Sequence, residues 1–232
     1  MNPIDRFKGK HTSDYRYFAN DFSEIRMRQW LSVWMQASPS ICLEDVHSVL
    51  EFGGGRDVTR SIVRQFGIEY FSVDMSSRFF PDHVSSILDF PFEGRMYDLV
   101  CSFQCLEHNP YEDVPALIKH MSAFSRKYLH ISVPYNGASF TFDITLRLPK
   151  FEFSYTFSKV LDNFGGKRID VKPLKERPPE KKHSAHWWEV GRPGLSKKKF
   201  VRDIEECGLT HIESKHNPLF PHHLFLLFEK IN

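Results

Sequence analysis

No stretch of the 232-residue sequence holds the roughly 18 consecutive apolar residues that a transmembrane helix needs. Met1 to Lys10 carries charges but no apolar stretch, so no signal peptide is expected. None of the four cysteines, Cys42, Cys101, Cys105 and Cys207, stands in a CxxC pair. That removes a zinc ribbon and a dithiol redox centre, and makes a reduced, cytoplasmic compartment the simplest expectation. Net charge is scarce as well: 31 Lys and Arg against 29 Asp and Glu leave +2. A chain that binds nucleic acid over its whole surface carries a larger basic excess, so a nucleic-acid partner is not expected. No carboxylate–histidine group has metal-ligand spacing, so no metal is expected. Internal repeats and low-complexity tracts are absent.

What the chain does have is phenylalanine, 22 residues of it. That many aromatic side chains build a bulky core, apolar binding walls, or both, and they are compatible with a homodimer without demanding one. At about 100–200 residues per domain, the length fits one domain over 1–232 with elaborations. Asp14 to Gln36 reads as a helix with Ile25, Trp30, Leu31 and Trp34 on one stripe and Asp21 as its cap. The expectation is a helical cover over residues 14–37, packed on the main domain.

Five short apolar runs then alternate with helical patterns. Val46–Phe52, Tyr70–Asp74, Ser85–Asp89, Tyr97–Phe103 and Tyr128–Val133 read as strands. Asp57–Phe66 and Tyr111–Arg126 read as helices. Such alternation predicts parallel β-α-β units and a doubly wound sheet. Ser196–Cys207 is a further helix. Thr210–His216 and His223–Lys230 are two strands joined by a short turn, which only antiparallel neighbours allow. The fold class is therefore α/β: a Rossmann-like, doubly wound mixed sheet of about seven strands with an antiparallel C-terminal hairpin. His222 and His223 are expected on a surface or turn. An insert over 136–192 is too long for a plain connection. Its first half is rich in Phe. Its second half, Lys167–Lys182, is basic and Pro-rich. It is the candidate acceptor lid.

The chemistry-bearing motif is Glu51-Phe52-Gly53-Gly54-Gly55, at a strand end before a helix. The glycines let the backbone turn and approach a ligand; Gly54 adds flexibility. Asp74 ends the next strand, where a carboxylate can grip a ribose diol. A dinucleotide site wants a third glycine where this chain has Val58. Glu51 beside the ligand repels a pyrophosphate and suits an ammonium group. The adenosyl ligand with an ammonium, a sulfonium and no phosphate is S-adenosylmethionine.

Asp89-Phe90-Pro91-Phe92 and Tyr97-Asp98-Leu99-Val100, the latter leading to Leu106-Glu107-His108, follow in order. With these motifs the sequence resembles the class I S-adenosylmethionine-dependent methyltransferases, in particular the type 11 small-molecule group. The resemblance covers Val46 to Pro134 well and Ser184 to Lys230 loosely. It implies Glu51 near the methionine ammonium, and Gly53 and Gly55 beneath the methionine and ribose. It implies Asp74 on the ribose hydroxyls, Met75 on the adenine, and Asp89 on the adenine amino group with Phe90 alongside. Ser102 and Phe103 then line the cofactor. The short links Met75–Val84 and Phe90–Met96 leave two family helices reduced or missing.

Methyl transfer from a sulfonium needs alignment and dryness, and a base only where the acceptor must lose a proton. His108 and His186 are the catalytic candidates. Tyr135, Asn136 and Trp187 are the substrate-side candidates. The expected reaction methylates an O or N atom of a small, anionic metabolite, with a sugar or sugar nucleotide as the guess. Two rivals stand beside it: a non-catalytic methyltransferase-like binding domain, and an NAD-dependent oxidoreductase. The intact Glu51, Gly53, Gly55 and Asp74 set argues against the first. Val58 and Glu51 argue against the second.

Overall fold

The computed structural model describes residues 24–55, 58–161 and 186–231. The first helix, α1 (Glu24–Cys42), leads into β1 (Ser48–Phe52), whose five residues are all buried. After the glycine turn come α2 (Val58–Arg64), β2 (Glu69–Asp74) and a two-residue β3 (His83–Val84). Next are β4 (Tyr97–Phe103), α3 (Val114–Ala123) and β5 (Ser125–Pro134). A hairpin of β6 (Ala138–Leu148) and β7 (Phe151–Leu161) follows. The chain closes with α4 (Lys197–Glu205), β8 (Leu209–Asn217) and β9 (Phe220–Lys230).

Seven strands form one sheet in the order β3-β2-β1-β4-β5-β9-β8. The pairs from β3 through β5 are parallel, while β9 runs antiparallel to both β5 and β8. The mixed sheet with its C-terminal hairpin is as the hydrophobic pattern predicts. The chain winds outward from β1 to β3, then returns to place β4 on the other side of β1. That reversal opens a crevice at the carboxyl ends of β1 and β4, the place where open α/β sheets receive ligands.

Period-two alternation sends neighbours on each strand to opposite faces. Val49, Leu99 and Cys101 meet Met35 and Ala37 of α1 and Val63 of α2. Leu50, Val100 and Leu129 meet Ile118 and Met121 of α3 and Phe200 and Ile204 of α4. The molecule is thus helix, sheet, helix. Ser196 caps α4 by accepting from the Lys199 amide at 3.1 Å. Gly208, at φ +88°, ends the turn that follows it.

Several boundaries differ from the pattern reading. The third strand is His83–Val84, ahead of the expected Ser85–Asp89, because Asp89 is drawn into a turn by Ser86 Oγ at 2.6 Å. α1 runs past Gln36 to Cys42, and Asp14 to Ser23 lie outside the described residues. The helix expected from Tyr111 to Arg126 begins with a 3-10 turn (Tyr111–Asp113), and β5 already starts at Ser125. No helix fills the links Met75–Val84 or Phe90–Met96; the first holds only a 3-10 turn, Ser77–Phe79. The Phe-rich half of the insert, expected as part of an acceptor lid, is the β6–β7 hairpin, turned at Pro149-Lys150. Its basic half lies outside the described residues. No helix among the described residues is long and apolar enough to cross a membrane.

Candidate active site

The glycine turn after β1 sits in the crevice, and its geometry shows why glycine stands there. Gly53 has φ +75° and Gly55 φ +51°, which L side chains rarely adopt. A Cβ on Gly53 would lie 2.5 Å from Cys105 Sγ. A Cβ on Gly54 would lie 2.9 Å from Glu51 Oε2. Glu51 is 3% exposed and shares a hydrogen bond with Tyr70, whose hydroxyl is pushed well up by burial and by that carboxylate. Asp74 closes the turn from β2. Its Oδ2 accepts from the Gly55 amide at 3.1 Å and its Oδ1 from the Ser76 amide at 2.8 Å.

The 3-10 turn after β2 folds over these groups. Phe79 and Pro81 stand beside Glu51, Gly54, Gly55, Ser72 and Asp74. Arg60 holds that flap down, donating to Asp82 Oδ2 at 2.7 Å and Ser72 Oγ at 2.8 Å. A cavity of about 360 Å³ opens next to it. Its walls are Trp30, Val33 and Gln36 of α1, the glycine turn, Phe79, Phe103, Gln104 and His223. Gln104 has φ +51°, a strained backbone for a residue with a side chain. Its amide donates to Ser132 O at 2.9 Å and its side chain to Ser132 Oγ at 3.2 Å, which hold it there.

Of the cofactor-side candidates, Glu51, Gly53, Gly55, Asp74 and Phe103 line these two adjoining spaces. Ser102 is fully buried inside β4. Met75 is 67% exposed. Asp89 is exposed and paired with Ser86. Phe90 packs inward, 5.7 Å from Phe52 and 5.2 Å from Phe124 between ring centroids. The missing helices explain this: with short links there is less wall on the adenine side.

The catalytic candidates His108 and His186 come together, their rings 5.4 Å apart. His186 is held by Glu189, Nδ1 to Oε1 at 3.0 Å, and Nε2 stands 3.9 Å from Oε1 of Glu107. Glu107 is fully buried, and among the described residues no side chain hydrogen-bonds its carboxylate. Burial pushes that carboxyl up to about 7, against the pull of its own backbone amide and of His186. Glu189 goes the other way, down to about 2. Bonds from His186, Asn136 and Arg192 outweigh its burial. The His222 ring stacks over His186 at 6.3 Å, and His223 lies 6.1 Å beyond it. A row of histidines therefore joins the cavity wall to Glu107. His222 and His223 are not plain turn residues; β9 carries them into the crevice.

Of the substrate-side candidates, Asn136 reaches this cluster, donating to Glu189 Oε2 at 3.0 Å. Tyr135 is buried beneath Gly137 and against His216. Trp187 packs on the core and gives its amide to Glu107 O at 2.8 Å. Glu107, His108 and His186 each present a donor atom within 4.8 Å of the others, as do His186, Glu189 and His222. The sequence spacing hid this grouping because Glu107 and His186 come from segments 79 residues apart. The cavity residues Trp30, Gln104 and His223 escaped sequence reading for the same reason; the backbone φ of Gln104 has no sequence signal.

A family model described as a methyltransferase domain matches residues 22–197, more than half of the chain. The chain belongs to this methyltransferase family. Its fold is that of an S-adenosylmethionine-dependent methyltransferase from Clostridium acetobutylicum ATCC 824, which superposes with TM-score 0.56 at 9% identity, over 94% of this chain and 99% of that one. Magnesium protoporphyrin IX methyltransferase from Synechocystis PCC 6803, with bound S-adenosylhomocysteine, superposes with TM-score 0.57 at 11% identity, over 94% of this chain and 95% of that one. The 1,6-didemethyltoxoflavin-N1-methyltransferase of Burkholderia thailandensis gives 0.54 at 13%, over 94% and 87%. The N-methyltransferase NodS of Bradyrhizobium japonicum WM9 gives 0.54 at 11%, over 91% and 99%. At such identities the likeness is one of fold. A search of curated proteins finds no match to this methyltransferase.

Proposed function

We propose that this methyltransferase moves the methyl group of S-adenosylmethionine to an O or N atom of a small, anionic metabolite, with a sugar or sugar nucleotide as the candidate class. The observation that carries the cofactor half is the convergence of Glu51, Gly53, Gly55 and Asp74 at the switch point of the sheet. An ammonium fits the buried Glu51 carboxylate, and a ribose diol fits Asp74. The cavity under α1, which Glu51 and the glycine turn also line, takes the methyl-bearing end of the cofactor with the acceptor beside it, and its apolar wall excludes water from the displacement. The anionic class rests on the local +4 of Lys167–Lys182 in the sequence.

Where the acceptor must lose a proton, the base is His186, which stands behind His222 and the cavity-wall residue His223 and so serves an acceptor that extends past them. With Nδ1–H donating to Glu189, Nε2 keeps its lone pair, and the Glu189 carboxylate steadies the charged ring. A second base is favoured by one observation: His223 is in the cavity wall, its Nδ1 2.8 Å from Ser32 Oγ. The test is calorimetric titration with S-adenosylmethionine, S-adenosylhomocysteine and NAD. Both adenosyl compounds are expected to bind, NAD is not, and Asp74→Ala loses the binding. NAD binding alone sinks the reading. In a transfer assay, His186→Ala is expected to lower kcat by about 10²–10⁴ with the cofactor still bound. The same loss in His223→Ala and not in His186→Ala moves the base to His223.

A further inference from the structure

The β6–β7 hairpin presents a surface that the methyltransferase fold does not use. It forms a two-stranded sheet of its own and packs chiefly on itself. Its register puts Phe142 opposite Phe157, Ile144 opposite Tyr155, Leu146 opposite Phe153 and Leu148 opposite Phe151. Even positions of β6 and odd positions of β7 therefore share one face. From Phe140 to Leu148 and from Phe151 to Phe157, every residue on that face is a large apolar or aromatic one. The other face is polar, with Arg147 paired to Glu152 at 2.9 Å and Thr145 set against Ser154 at 3.3 Å. The nine apolar side chains are 38–62% exposed.

We propose that this face is the interface through which two copies of the chain pair, their hairpins stacked face to face about a two-fold axis. Three observations select a second copy as the occupant. The first is area. Nine side chains of about 200 Å², half uncovered, offer on the order of 900 Å², close to the 800 Å² that a standard interface takes from each partner. A monomer seldom leaves a continuous patch of that size bare. The second is stability. A lone two-stranded hairpin is marginal in water, and strands of about 37 Å need a layer against one face to persist. A second hairpin of the same length and width supplies that layer at the usual sheet-to-sheet spacing. The third is charge. The face holds no carboxylate, and its single cation, Lys159, lies at the hairpin's base opposite Phe140. Two such faces meet without burying a like or unpaired charge at the centre.

The base of the hairpin joins this interface to the site. The Asn136 amide donates to Val190 O at 2.7 Å, and the Val190 amide to Pro134 O at 3.0 Å. Gly191 is required there, since its Cβ would lie 2.8 Å from Asn136 O. These bonds tie the strand end that leads into the hairpin to the segment that carries His186 and Glu189.

Sedimentation velocity of the full chain, from low to high micromolar, reads the state directly. A dimer is expected. Phe142→Glu with Phe153→Glu, both on exposed positions, is expected to raise the dissociation constant by about 100-fold or more, while the thermal melt and the binding of S-adenosylhomocysteine stay as in the parent. Geometry is read in a Cys42→Ser background. Ile144→Cys joins two chains through a short bismaleimide linker, and Thr145→Cys, on the polar face, does not. A chain that stays monomeric throughout overturns the proposal. So does a dimer that survives both glutamates, or a monomer that sediments with anionic lipid vesicles, which would make a membrane the occupant. Cofactor binding is measured separately, so failure of the dimer leaves the methyltransferase reading intact.

Discussion

Glu107 sets a residue-scale problem, a fully buried carboxyl beside an imidazole. Its folded value of about 7 lies above the ordinary 4.5, chiefly through burial. An acid raised on folding is a stabilising proton acceptor at low pH. That contribution is complete below about 4.5 and is lost as pH rises through 7. The shift corresponds to about 3 kcal/mol. Glu107→Gln keeps the shape and removes the titration. Relative to the parent, the variant is expected to gain stability between pH 5 and 8, approaching that figure, in urea melts taken at several pH values. His130, lowered by burial to about 3, acts with the opposite sign: its contribution is present above 6.5 and lost as pH falls. It is common to both proteins and cancels in the difference. A difference that stays flat across this pH range would mean that Glu107 is ionised at neutrality and held by a partner.

Asn217 ties two elements together. It is fully buried; its Nδ2 donates to Arg28 O at 3.0 Å and Ser32 Oγ at 2.8 Å. Its Oδ1 accepts from the amides of Leu219 and Phe220, at 2.9 and 3.1 Å. One side chain thus fixes α1 to the turn between β8 and β9. Asn217→Ala removes four hydrogen bonds, the one to Ser32 Oγ fully buried, and is expected to cost about 2–4 kcal/mol, with weaker cofactor binding because α1 walls the cavity. Loss of stability with unchanged affinity would uncouple α1 from the site. Elements differ in how openly the sequence announces them. β1, β2, β4 and their helices declare themselves through short apolar runs and period-3.6 stripes, and Gly53, Gly55 and Asp74 through turn chemistry. β6 and β7 also alternate strictly, yet Pro149 between them and the density of Phe read as a lid. β3 is too short to carry a pattern. The meeting of Glu107 with His186, and of His223 with Gln104, depends on strand order, which no local signal encodes.

The whole molecule has two elaborations on its sheet: α1 over the crevice, and the hairpin standing off it. They make opposite demands on a ligand. α1 contributes Trp30, Val33 and Gln36 to the cavity and is pinned by Asn217, by Ser32 to His223, and by Thr59 to Gln36 at 2.7 Å. The hairpin's apolar face lines neither described cavity. Binding S-adenosylhomocysteine at 100 times its Kd adds about 2.7 kcal/mol to global stability. Local opening of α1 exposes the cavity wall, so the ligand suppresses it; opening of the hairpin leaves the ligand's contacts in place, so the ligand does not. Hydrogen exchange is therefore expected to slow in α1 and in Ser76 to Pro81 on adding S-adenosylhomocysteine, and to stay unchanged across 138–161. Slowing confined to 138–161, with α1 unaffected, would reverse the assignment and make the hairpin the lid that the sequence alone suggested.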